Sequence, residues 1–370
     1  MANIIIYRLG SMGDTIVALP CFHRIAESFP AANRILLTNF PVSSKAAPVE
    51  SILRGSGLIE RAMAYPIGSR SPLKLWRLAR QIRALEPSAL IYLAPARGLT
   101  AAVRDLLYFR LCGVHRIIGL PITADLQNNR IDPASGDVER ECARLARTID
   151  SLGALDLSSR HAWDLLLTAE EEETGRKAIA HFGKRAFVAI NTGGKDPSKD
   201  WGAERWSELL AKLAKGFPEH GLLVVGATED SLRAQAFTEA WPNAAVNACG
   251  CLTPRETAAA LKRASFFVGH DSGPLHLAAS LHIASVGLFG SLNRPKKWHP
   301  YGTMIRVIHR MDGIDAISAD DVMEAVSSLA ANDEADASAA NHPQPTRRLN
   351  EASHDTPEQS HCGSATRLPV

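Results

Sequence analysis

The sequence has no uninterrupted apolar run that approaches the roughly 20 residues of a membrane-spanning helix. Its start, MANIIIYRLG, has no basic segment, and its apolar run is too short for a secretory signal peptide. An excess of one charge is also missing, since 41 Lys and Arg residues face 39 Asp and Glu residues. No RNP, zinc-finger or helix-turn-helix motif is present. These absences predict a cytoplasmic protein that does not have nucleic acid as its partner.

Cysteine is sparse, with six scattered residues in 370. Only Cys249 and Cys251 lie close together, and no second Cys or His pair at ligand spacing accompanies them. An acidic cluster of the kind that holds Mg²⁺ is also missing. We therefore expect reduced thiols, no metal site and no bound cofactor.

What the sequence does contain is a repeated alternation of short β-branched runs and helical patterns. In the first half, strands are predicted at 3–9, 34–39, 89–94 and 116–120, and helices at 14–28, 71–85, 98–112 and 137–152. In the second half, strands are predicted at 186–191, 221–226, 244–248, 265–270 and 284–290, and helices at 203–216, 229–240, 253–263 and 318–330. Such alternation predicts α/β architecture with parallel sheets and right-handed crossovers.

The restart of the pattern predicts two doubly wound domains, as the chain length also suggests. We place the first domain at 1–165 and the second at 166–330. Their facing strand ends should form a cleft, where ligands of such sheets bind. Residues 331–370 are rich in Ala, Asn, Pro, Ser and His, so they are predicted to be a disordered tail.

The first strand runs into a glycine turn, GSMGDT (10–15). Its spacing is G-x-x-G rather than G-x-G-x-x-G, the second strand ends in Asn39 rather than an acid, and no P-loop lysine follows. A dinucleotide fingerprint and a P-loop are thus excluded. The turn should open its N–H groups to the cleft with Asp14 at the rim, although Asp14 also suits plain helix capping.

The segment FVGHDSGPLHLAAS (267–280) combines a helix start with polar side chains. Pro274 suits the first helical position, and the open N–H groups and the positive dipole end favour a phosphate. Asp271 would repel a phosphate and is better suited to sugar hydroxyls, whereas His276 can donate to an anion. A capped structural helix is the alternative interpretation.

Two other strand ends carry groups suited to a nucleotide. NTGGKDPSKDW (191–201) offers small residues and two cations: Thr192, Gly193, Gly194, Lys195 and Lys199. With the 267–280 segment it would provide the two anion sites that a nucleotide diphosphate uses. VVGATED (224–230) places Glu229 near a helix start, where it can bind ribose hydroxyls or simply cap the helix.

Three segments resemble glycosyltransferase family 9, the heptosyltransferase-type enzymes: RLGSMGDTIVALP, KDWGAERWSELLAKL and GHDSGPLHLAASLHIASVGLFGS. They occur in the family's order and spacing, and the resemblance covers residues 3–310. It implies the GT-B fold, two Rossmann-like domains of which the C-terminal one binds most of the donor. It also implies inverting, metal-independent sugar transfer, typically of heptose from ADP-heptose to a lipopolysaccharide-core acceptor.

The resemblance assigns roles to individual residues. Asp14 matches the catalytic carboxylate in R-x-x-S-x-G-D, and Lys199 matches the phosphate-binding lysine better than Lys195 does. The residues expected to bind the donor are Ser11, Gly13, Thr192, Gly193, Lys199, Glu229, Asp271, Ser272, Gly273 and His276. Two departures are Gly10, where many relatives have Ser or another small residue, and the inserted KDPS before Asp200.

The chemistry can also be stated without the family. Sugar transfer needs a base for the acceptor hydroxyl, and the leaving diphosphate needs charge stabilisation, which a helix N-terminus and a lysine supply. Two alternatives stay open on the sequence: a GT-B-like epimerase or phosphorylase, and a non-catalytic nucleotide-sugar-binding protein. The expected partners are a nucleotide-sugar donor and a glycolipid or glycan acceptor.

The helical segment SPLKLWRLARQIRAL (71–85) has apolar residues on one face and cations on much of the other, with Trp76 beside them. The basic residues here and in the following segment are Lys74, Arg77, Arg80, Arg83, Arg97, Arg104, Arg110 and Arg116. Such a surface suits peripheral contact with the inner membrane surface or with a phosphorylated glycolipid. A solvated basic face is the alternative.

Overall fold

The structure is a computed structural model that describes residues 1–40, 47–69, 71–194 and 196–340, with side chains described as far as Leu329. Lys195 and the part of the predicted tail from 341 onward lie outside the described residues. The chain divides into a compact unit, Met1–Ala330, and a second unit, Ala331–Val370. The compact unit contains two parallel sheets.

The first sheet consists of β1 (Asn3–Tyr7), β2 (Asn33–Asn39), β3 (Arg61–Tyr65), β4 (Ala89–Tyr92) and β5 (Ile117–Ile118). The strands are all parallel and lie in the order β3–β2–β1–β4–β5. The helices around it are α1 (Met12–Val17), α2 (Leu19–Ser28), α3 (Glu50–Leu53), α4 (Pro72–Ala84), α5 (Leu99–Leu111), α6 (Ala124–Gln127) and α7 (Glu141–Thr148). We call this sheet with α1–α7 the N-terminal lobe.

Helices cover both faces of the first sheet, because the strand order reverses direction at β1 and right-handed crossovers then change face. One face packs residues of β1 and α2: Ile4, Ile6, Phe22 and Ile25. The other face packs residues of β1, α4 and α5: Ile5, Tyr7, Leu78, Ile82 and Phe109. The helices α4 and α5 therefore share one side of the N-terminal lobe.

The second sheet consists of β6 (Phe187–Asn191), β7 (Gly221–Val224), β8 (Ala245–Asn247), β9 (Phe266–His270), β10 (Ser285–Phe289) and β11 (Ile305–His309). Its parallel strands lie in the order β11–β10–β9–β6–β7–β8. Its helices are α8 (Ala169–Ala178), α9 (Ala203–Gly216), α10 (Ser231–Ala240), α11 (Pro254–Leu261) and α12 (Gly273–Ser280). We call this part the C-terminal lobe; a last helix, α13 (Ala319–Ala340), follows it.

Both sheets confirm the predicted doubly wound α/β architecture, but some predicted elements were wrong. The helix expected over 14–28 is two helices, since Pro20 lies at the start of α2 and has no N–H to continue the first. The helix expected over 137–152 shrinks to α7. β3, β11 and α8 were not predicted. The two strands lie at sheet edges and are only partly buried, and α8 buries only Gly175, so none of them carries an apolar run.

The two lobes are held together by a buried arginine on α11. Arg255 donates hydrogen bonds to the carbonyl oxygens of Ile52 (2.8 Å) in the N-terminal lobe and of Leu165 (2.7 Å) and Leu166 (2.8 Å) in the connecting segment. Its guanidinium also forms a two-bond ion pair with Glu171, at 2.6 and 2.9 Å. The domain boundary predicted near residue 165 stays a prediction. The segment that connects the two lobes contacts Arg255 through the carbonyl oxygens of Leu165 and Leu166.

Candidate active site

A cavity of about 750 Å³ opens between the two lobes. Three residues of the first glycine turn line it from the N-terminal lobe: Ser11, Gly13 and Asp14. The C-terminal lobe contributes seven more of the predicted residues: Gly193, Lys199, Glu229, Asp271, Ser272, Gly273 and His276. Thr192 does not line the cavity, and its side chain is buried. The structure thus brings ten of the eleven predicted residues to one cavity.

Asp14 lies in the first turn of α1 and both caps that helix and lines the cavity. Its Oδ2 accepts hydrogen bonds from the backbone N–H of Ser11 (2.8 Å) and from the Ser11 hydroxyl (3.0 Å). No hydrogen bond within the described part of the chain reaches Oδ1 of Asp14. The capping interpretation and the active-site interpretation are therefore compatible, since one oxygen serves the turn and the other is left for the cavity.

The turn before Asp14 depends on Gly10. Its φ is +139°, and a Cβ at this position would lie 2.7 Å from the Asp14 carboxyl carbon. Asn39, at the end of β2, fixes the same turn, because its side chain exchanges hydrogen bonds with the N–H (2.9 Å) and the carbonyl (3.1 Å) of Gly10. The side chain that replaces the acid of a dinucleotide site therefore positions the Asp14 turn.

Arg8 holds the same turn through its side chain, and no role was assigned to it from the sequence. Its buried guanidinium donates to the carbonyl oxygen of Leu93 (2.6 Å) and to that of Asp14. Burial lowers the pKa of Arg8, and the negative charges of Asp14 and Glu141 oppose that effect. The arginine of the R-x-x-S-x-G-D motif is thus a positioning residue behind Asp14.

The turns at the starts of α1 and α12 approach each other closely across the cleft. A Cβ on Gly13 would lie 3.3 Å from Cδ2 of His276, and a Cβ on Gly273 would overlap the Met12 side chain. Both glycines were predicted to contact the donor. In the structure they first allow the two lobes to approach, so that Asp14 and α12 face one cavity.

The carboxylate of Asp271 forms an ion pair with Lys199. The Nζ of Lys199 lies 2.7 Å from Oδ2 of Asp271 and also donates to its carbonyl oxygen (3.1 Å). The side-chain amide of Asn293 donates to the same Oδ2 at 2.7 Å. Asp271 therefore holds Lys199 beside the start of α12. Its expected contact with sugar hydroxyls stays a prediction.

Ser272 precedes α12 but does not cap it with its side chain. Its hydroxyl instead donates to Oδ1 of Asn191 (2.9 Å), and the Asn191 amide donates to the carbonyl oxygen of Val225 (2.9 Å). Gly273 and Pro274 line the cavity, so the uncapped first turn of α12 faces it. This is the arrangement that favours a bound phosphate.

His276 lies buried at the contact between the two glycine turns. Burial lowers the pKa of His276 and the charge of Lys199 adds to this, although the carboxylates of Asp271 and Asp14 oppose it. The imidazole is therefore neutral near pH 7, and it can donate one hydrogen bond without carrying a charge.

The turns after β6 and β7 line another part of the cavity, where the sequence predicted contacts with a nucleotide. A Cβ on Gly193 would overlap the carboxylate of Asp230, and Oδ2 of Asp230 accepts from the N–H of Ala227 (2.8 Å). Glu229 is exposed and makes no hydrogen bond within the described part of the chain. Glu229 is therefore available to a ligand, whereas the neighbouring Asp230 shapes the turn.

Sequence reasoning missed four residues that hold the site: Arg8, Asn191, Asp230 and Asn293. Asn191 ends β6, and Asn293 follows the end of β10, so attention to every strand end would have found both. Among the described residues, no group of three or more His, Cys, Asp and Glu side chains is arranged to hold a metal ion. None of the helices in the described ranges is long and apolar enough to cross a membrane.

The family model described as glycosyltransferase family 9 (heptosyltransferase) matches residues 113–316, more than half of the chain. The chain belongs to glycosyltransferase family 9. This membership confirms the family suggested by the three sequence segments and the expectation that the protein is a glycosyltransferase. No curated protein sequence matches the chain significantly.

Solved structures of this family share the fold. A family 9 glycosyltransferase from Veillonella parvula is 18% identical, with a TM-score of 0.68, and the match covers 90% of this chain and 98% of that one. The E. coli ADP-heptose lps heptosyltransferase II is 17% identical (TM-score 0.61, 90% and 100% covered). The E. coli heptosyltransferase WaaC with ADP is also 17% identical (TM-score 0.62, 88% and 99%). The family 9 glycosyltransferase and these matches confirm the predicted GT-B fold.

Proposed function

We propose that this family 9 enzyme transfers a heptose from ADP-heptose to a lipopolysaccharide-core or related glycan acceptor, with inversion at the anomeric carbon and without a metal ion. The observation that supports the proposal is that Asp14 of the N-terminal lobe lines the same cavity as Lys199 and the first turn of α12 in the C-terminal lobe. A donor held by its diphosphate at Lys199 and α12 would present its sugar to Asp14.

In the proposed step, Asp14 accepts the proton of the acceptor hydroxyl as that oxygen attacks the anomeric carbon. The bond between the anomeric carbon and the diphosphate oxygen breaks, and its electron pair leaves with the nucleoside diphosphate. General-base assistance of this kind contributes about 10²- to 10⁴-fold to the rate. The support for Asp14 is the oxygen of its carboxylate that the capping interaction leaves unused.

The negative charge that develops on the diphosphate is stabilised in this proposal by Lys199 and by the first turn of α12. Lys199 is held by Asp271, so its ammonium group is positioned before the donor arrives. Preorganised donors of this kind lower the barrier because they do not have to reorganise during the reaction. The Asp271 carboxylate balances the charge of Lys199, and the diphosphate would share the lysine with it.

The proposed nucleoside site lies further along the same cavity. Apolar and small residues there would contact the base, namely Gly226, Leu252, Pro254 and Thr257, and Glu229 would bind the ribose hydroxyls. The choice of ADP-heptose rests on family membership and on the E. coli heptosyltransferase structures, which were solved with ADP and with ADP-2-deoxy-2-fluoro heptose. The acceptor would enter from the Asp14 side.

The donor is tested by the thermal midpoint of the protein with ADP-, GDP-, UDP- and dTDP-sugars, since a ligand bound only by the native form raises it. We expect ADP-heptose to give the largest increase. Release of ADP should then require the acceptor. ADP release without acceptor would count against the transferase, and interconversion of the sugar with no transfer would favour the epimerase-like alternative.

The acceptor of such an enzyme would carry a lipid, so the proposal includes peripheral contact with the inner surface of the cytoplasmic membrane. The basic face of α4 is the sequence feature that suggests this contact, and its cations are exposed in the structure.

A further inference from the structure

The solvent-facing side of α5 carries large aliphatic side chains beside Thr100, Arg104 and Arg110, whereas a surface helix usually presents polar residues there. Four aliphatic residues at intervals of four are between 42% and 71% exposed: Leu99, Val103, Leu107 and Leu111. The residues of α5 that pack toward the sheet include a charged one, and they are Ala102, Asp105 and Phe109. A spacing of four keeps side chains on one face of a helix, so the four form a continuous stripe.

The neighbouring helix extends this stripe. Leu73 and Trp76 of α4 are each more than half exposed, and the guanidinium carbon of Arg80 lies 4.9 Å from the centre of the Trp76 ring. The two helices lie side by side, because the Tyr108 hydroxyl of α5 donates to the Leu75 carbonyl of α4 at 3.0 Å. We call these six exposed apolar residues and the cations around them the α4–α5 surface.

The charge around the stripe is strongly one-sided. Residues 71–116 contain eight Lys and Arg residues but only two acidic residues, Glu86 and Asp105, whereas the whole chain is almost balanced. Asp105 is buried and paired with Arg97 and Arg104. The exposed part of the α4–α5 surface therefore presents large apolar side chains together with an excess of positive charge. The phosphate groups of an anionic bilayer surface complement this charge, and its acyl boundary complements the stripe.

We propose that the α4–α5 surface docks the enzyme on an anionic lipid bilayer, with the stripe of α5 and Trp76 inserted below the headgroups. Both helices start at the carboxyl edge of the first sheet, where the Asp14 turn also lies. Docking would therefore place the acceptor side of the cleft beside the membrane. The proposal rests on the proposed function only in its reason for the docking, since a lipid-linked acceptor would lie there.

Other occupants fit the α4–α5 surface less well. A second copy of the same surface would bring two sets of positive charges together, which disfavours a symmetric dimer. The chain's own residues 341–370 carry three Arg and three acidic residues, so they provide no complementary charge. An anionic bilayer satisfies both the apolar stripe and the cations.

The test is co-sedimentation of the full chain with vesicles of phosphatidylcholine alone and of phosphatidylcholine with about 30% phosphatidylglycerol. Two double variants address the surface: Leu107→Ser with Leu111→Ser, and Lys74→Glu with Arg77→Glu. All four side chains are exposed, so folding should be kept. Matched controls lie on the C-terminal lobe: Leu232→Ser, at a leucine that is 86% exposed, and Lys184→Glu with Arg185→Glu.

We expect the wild type and both controls to bind the anionic vesicles, more weakly as salt rises, and to bind phosphatidylcholine poorly. The charge-reversed variant should lose at least about tenfold in partition coefficient, because each cation near an anionic surface contributes about 1 kcal/mol. The leucine variant should lose several-fold. Transfer to a water-soluble, lipid-free acceptor should stay at the wild-type rate in all variants.

Absence of wild-type binding to anionic vesicles at low salt would overturn the proposal, as would equal binding by the wild type and both surface variants. Light scattering, which measures the oligomeric state, tests whether a second copy of the chain occupies the surface instead. If the wild type were a dimer that did not bind vesicles, and the leucine variant were a monomer, this surface would be a contact between copies. Vesicle binding with no transfer to any glycan would leave the docking intact and count only against the proposed function.

Discussion

The two lobes share one strand order over five strands, with a sixth strand in the C-terminal lobe, yet they contribute very differently to the cleft. Among the residues of the N-terminal lobe that the structure describes, the turn after β1, Ser11–Asp14, and Ala47 line the cavity. In the C-terminal lobe, the turns after β6, β7, β8, β9 and β10 all reach it. In the proposed function, the C-terminal lobe would therefore hold most of the donor, and the described part of the N-terminal lobe would bring the Asp14 carboxylate to it.

The comparison also shows where a doubly wound sheet places its site. In each lobe the strand order reverses beside one central strand, β1 in the first sheet and β6 in the second. Asp14 follows β1, Gly193 follows β6, and Asp271 follows β9, the neighbour of β6. Ligands of open α/β sheets bind at such reversals, and here two of them face each other.

Replacement of Asp14 by Asn should have the largest effect, because it should remove the catalytic role proposed for the N-terminal lobe and leave donor binding by the C-terminal lobe intact. We expect kcat to fall about 10²- to 10⁴-fold while the donor dissociation constant stays near the wild-type value. The amide oxygen of Asn can still accept from the Ser11 N–H, so the turn should persist. Steady-state kinetics and calorimetric donor binding measure the two effects.

The matched control for this variant is Glu256→Gln. Glu256 is the equivalent capping carboxylate of α11, bonded to the Thr253 N–H at 2.7 Å, and it does not line the cavity. It should leave kcat unchanged. Full turnover by the Asp14→Asn enzyme would contradict the proposal that Asp14 is the general base.

Replacement of Arg255 by Met tests whether the lobes depend on each other for stability. The variant leaves Glu171 and three carbonyl oxygens without their buried partner, so we expect the free energy of unfolding to fall by about 3–5 kcal/mol. Denaturant unfolding measures this change. The milder Glu171→Gln variant should lose less, and Arg54→Met, which removes an exposed pair with Glu50, should lose under about 1 kcal/mol. If Arg255→Met lost as little stability as Arg54→Met, the contacts of Arg255 between the lobes would not be needed for stability.

Replacement of Lys199 by Ala should weaken the donor side of the cleft. A charge-assisted contact contributes about 1.5–3 kcal/mol, so we expect the donor dissociation constant to rise about 10- to 100-fold. The loss of Lys199 also leaves the Asp271 carboxylate facing the diphosphate. Lys212→Ala is the control, because that lysine pairs with Asp320 and Glu208 on the surface. Unchanged affinity for ADP in the Lys199 variant would mean that the diphosphate binds elsewhere.

Acidification should destabilise the C-terminal lobe through His270. The Nε2 of His270 accepts from the N–H of Trp201 (3.3 Å) and the indole N–H of Trp206 (3.2 Å), which requires a neutral ring. Burial lowers the pKa of His270 to about 4 from an ordinary value of 6.5. Because the folded-state pKa is depressed, stability is retained above pH 6.5 and lost as the pH falls toward 4, by about 2 kcal/mol near pH 5.

The measurement is the free energy of unfolding against pH for the wild type and His270→Gln. Glutamine keeps an acceptor for the two tryptophans but cannot be protonated, so the curve should flatten between pH 6.5 and 4. An NMR titration of the His270 ring serves if that variant does not fold. A ring that titrates near its ordinary pKa would contradict this explanation.

The buried centre of each sheet could be predicted from the sequence, because continuous apolar runs such as Ile4–Ile6 suit strands that are covered on both faces. The edges could not. β3 and β11 mix Arg and apolar residues, and α8 has hardly any buried face. Their positions depend on neighbours that are distant in sequence.

The candidate site divides in the same way. Turns with glycine and a polar residue after a strand were visible in the sequence, and most of their residues do line one cavity. The supports were not visible, because the roles of Arg8, Asn191 and Asn293 depend on a carbonyl or a carboxylate supplied by another segment. Lys199, which the resemblance favours over Lys195, forms an ion pair with Asp271, whereas Lys195 lies outside the described residues.

A crystal structure of the protein with a non-transferable ADP-heptose analogue tests the division between the lobes most directly. We predict a diphosphate in contact with Lys199 and the first turn of α12, and an anomeric carbon facing Oδ1 of Asp14 with room for one hydroxyl between them. A diphosphate bound away from this turn, or an Asp14 carboxylate directed away from the sugar, would contradict the account.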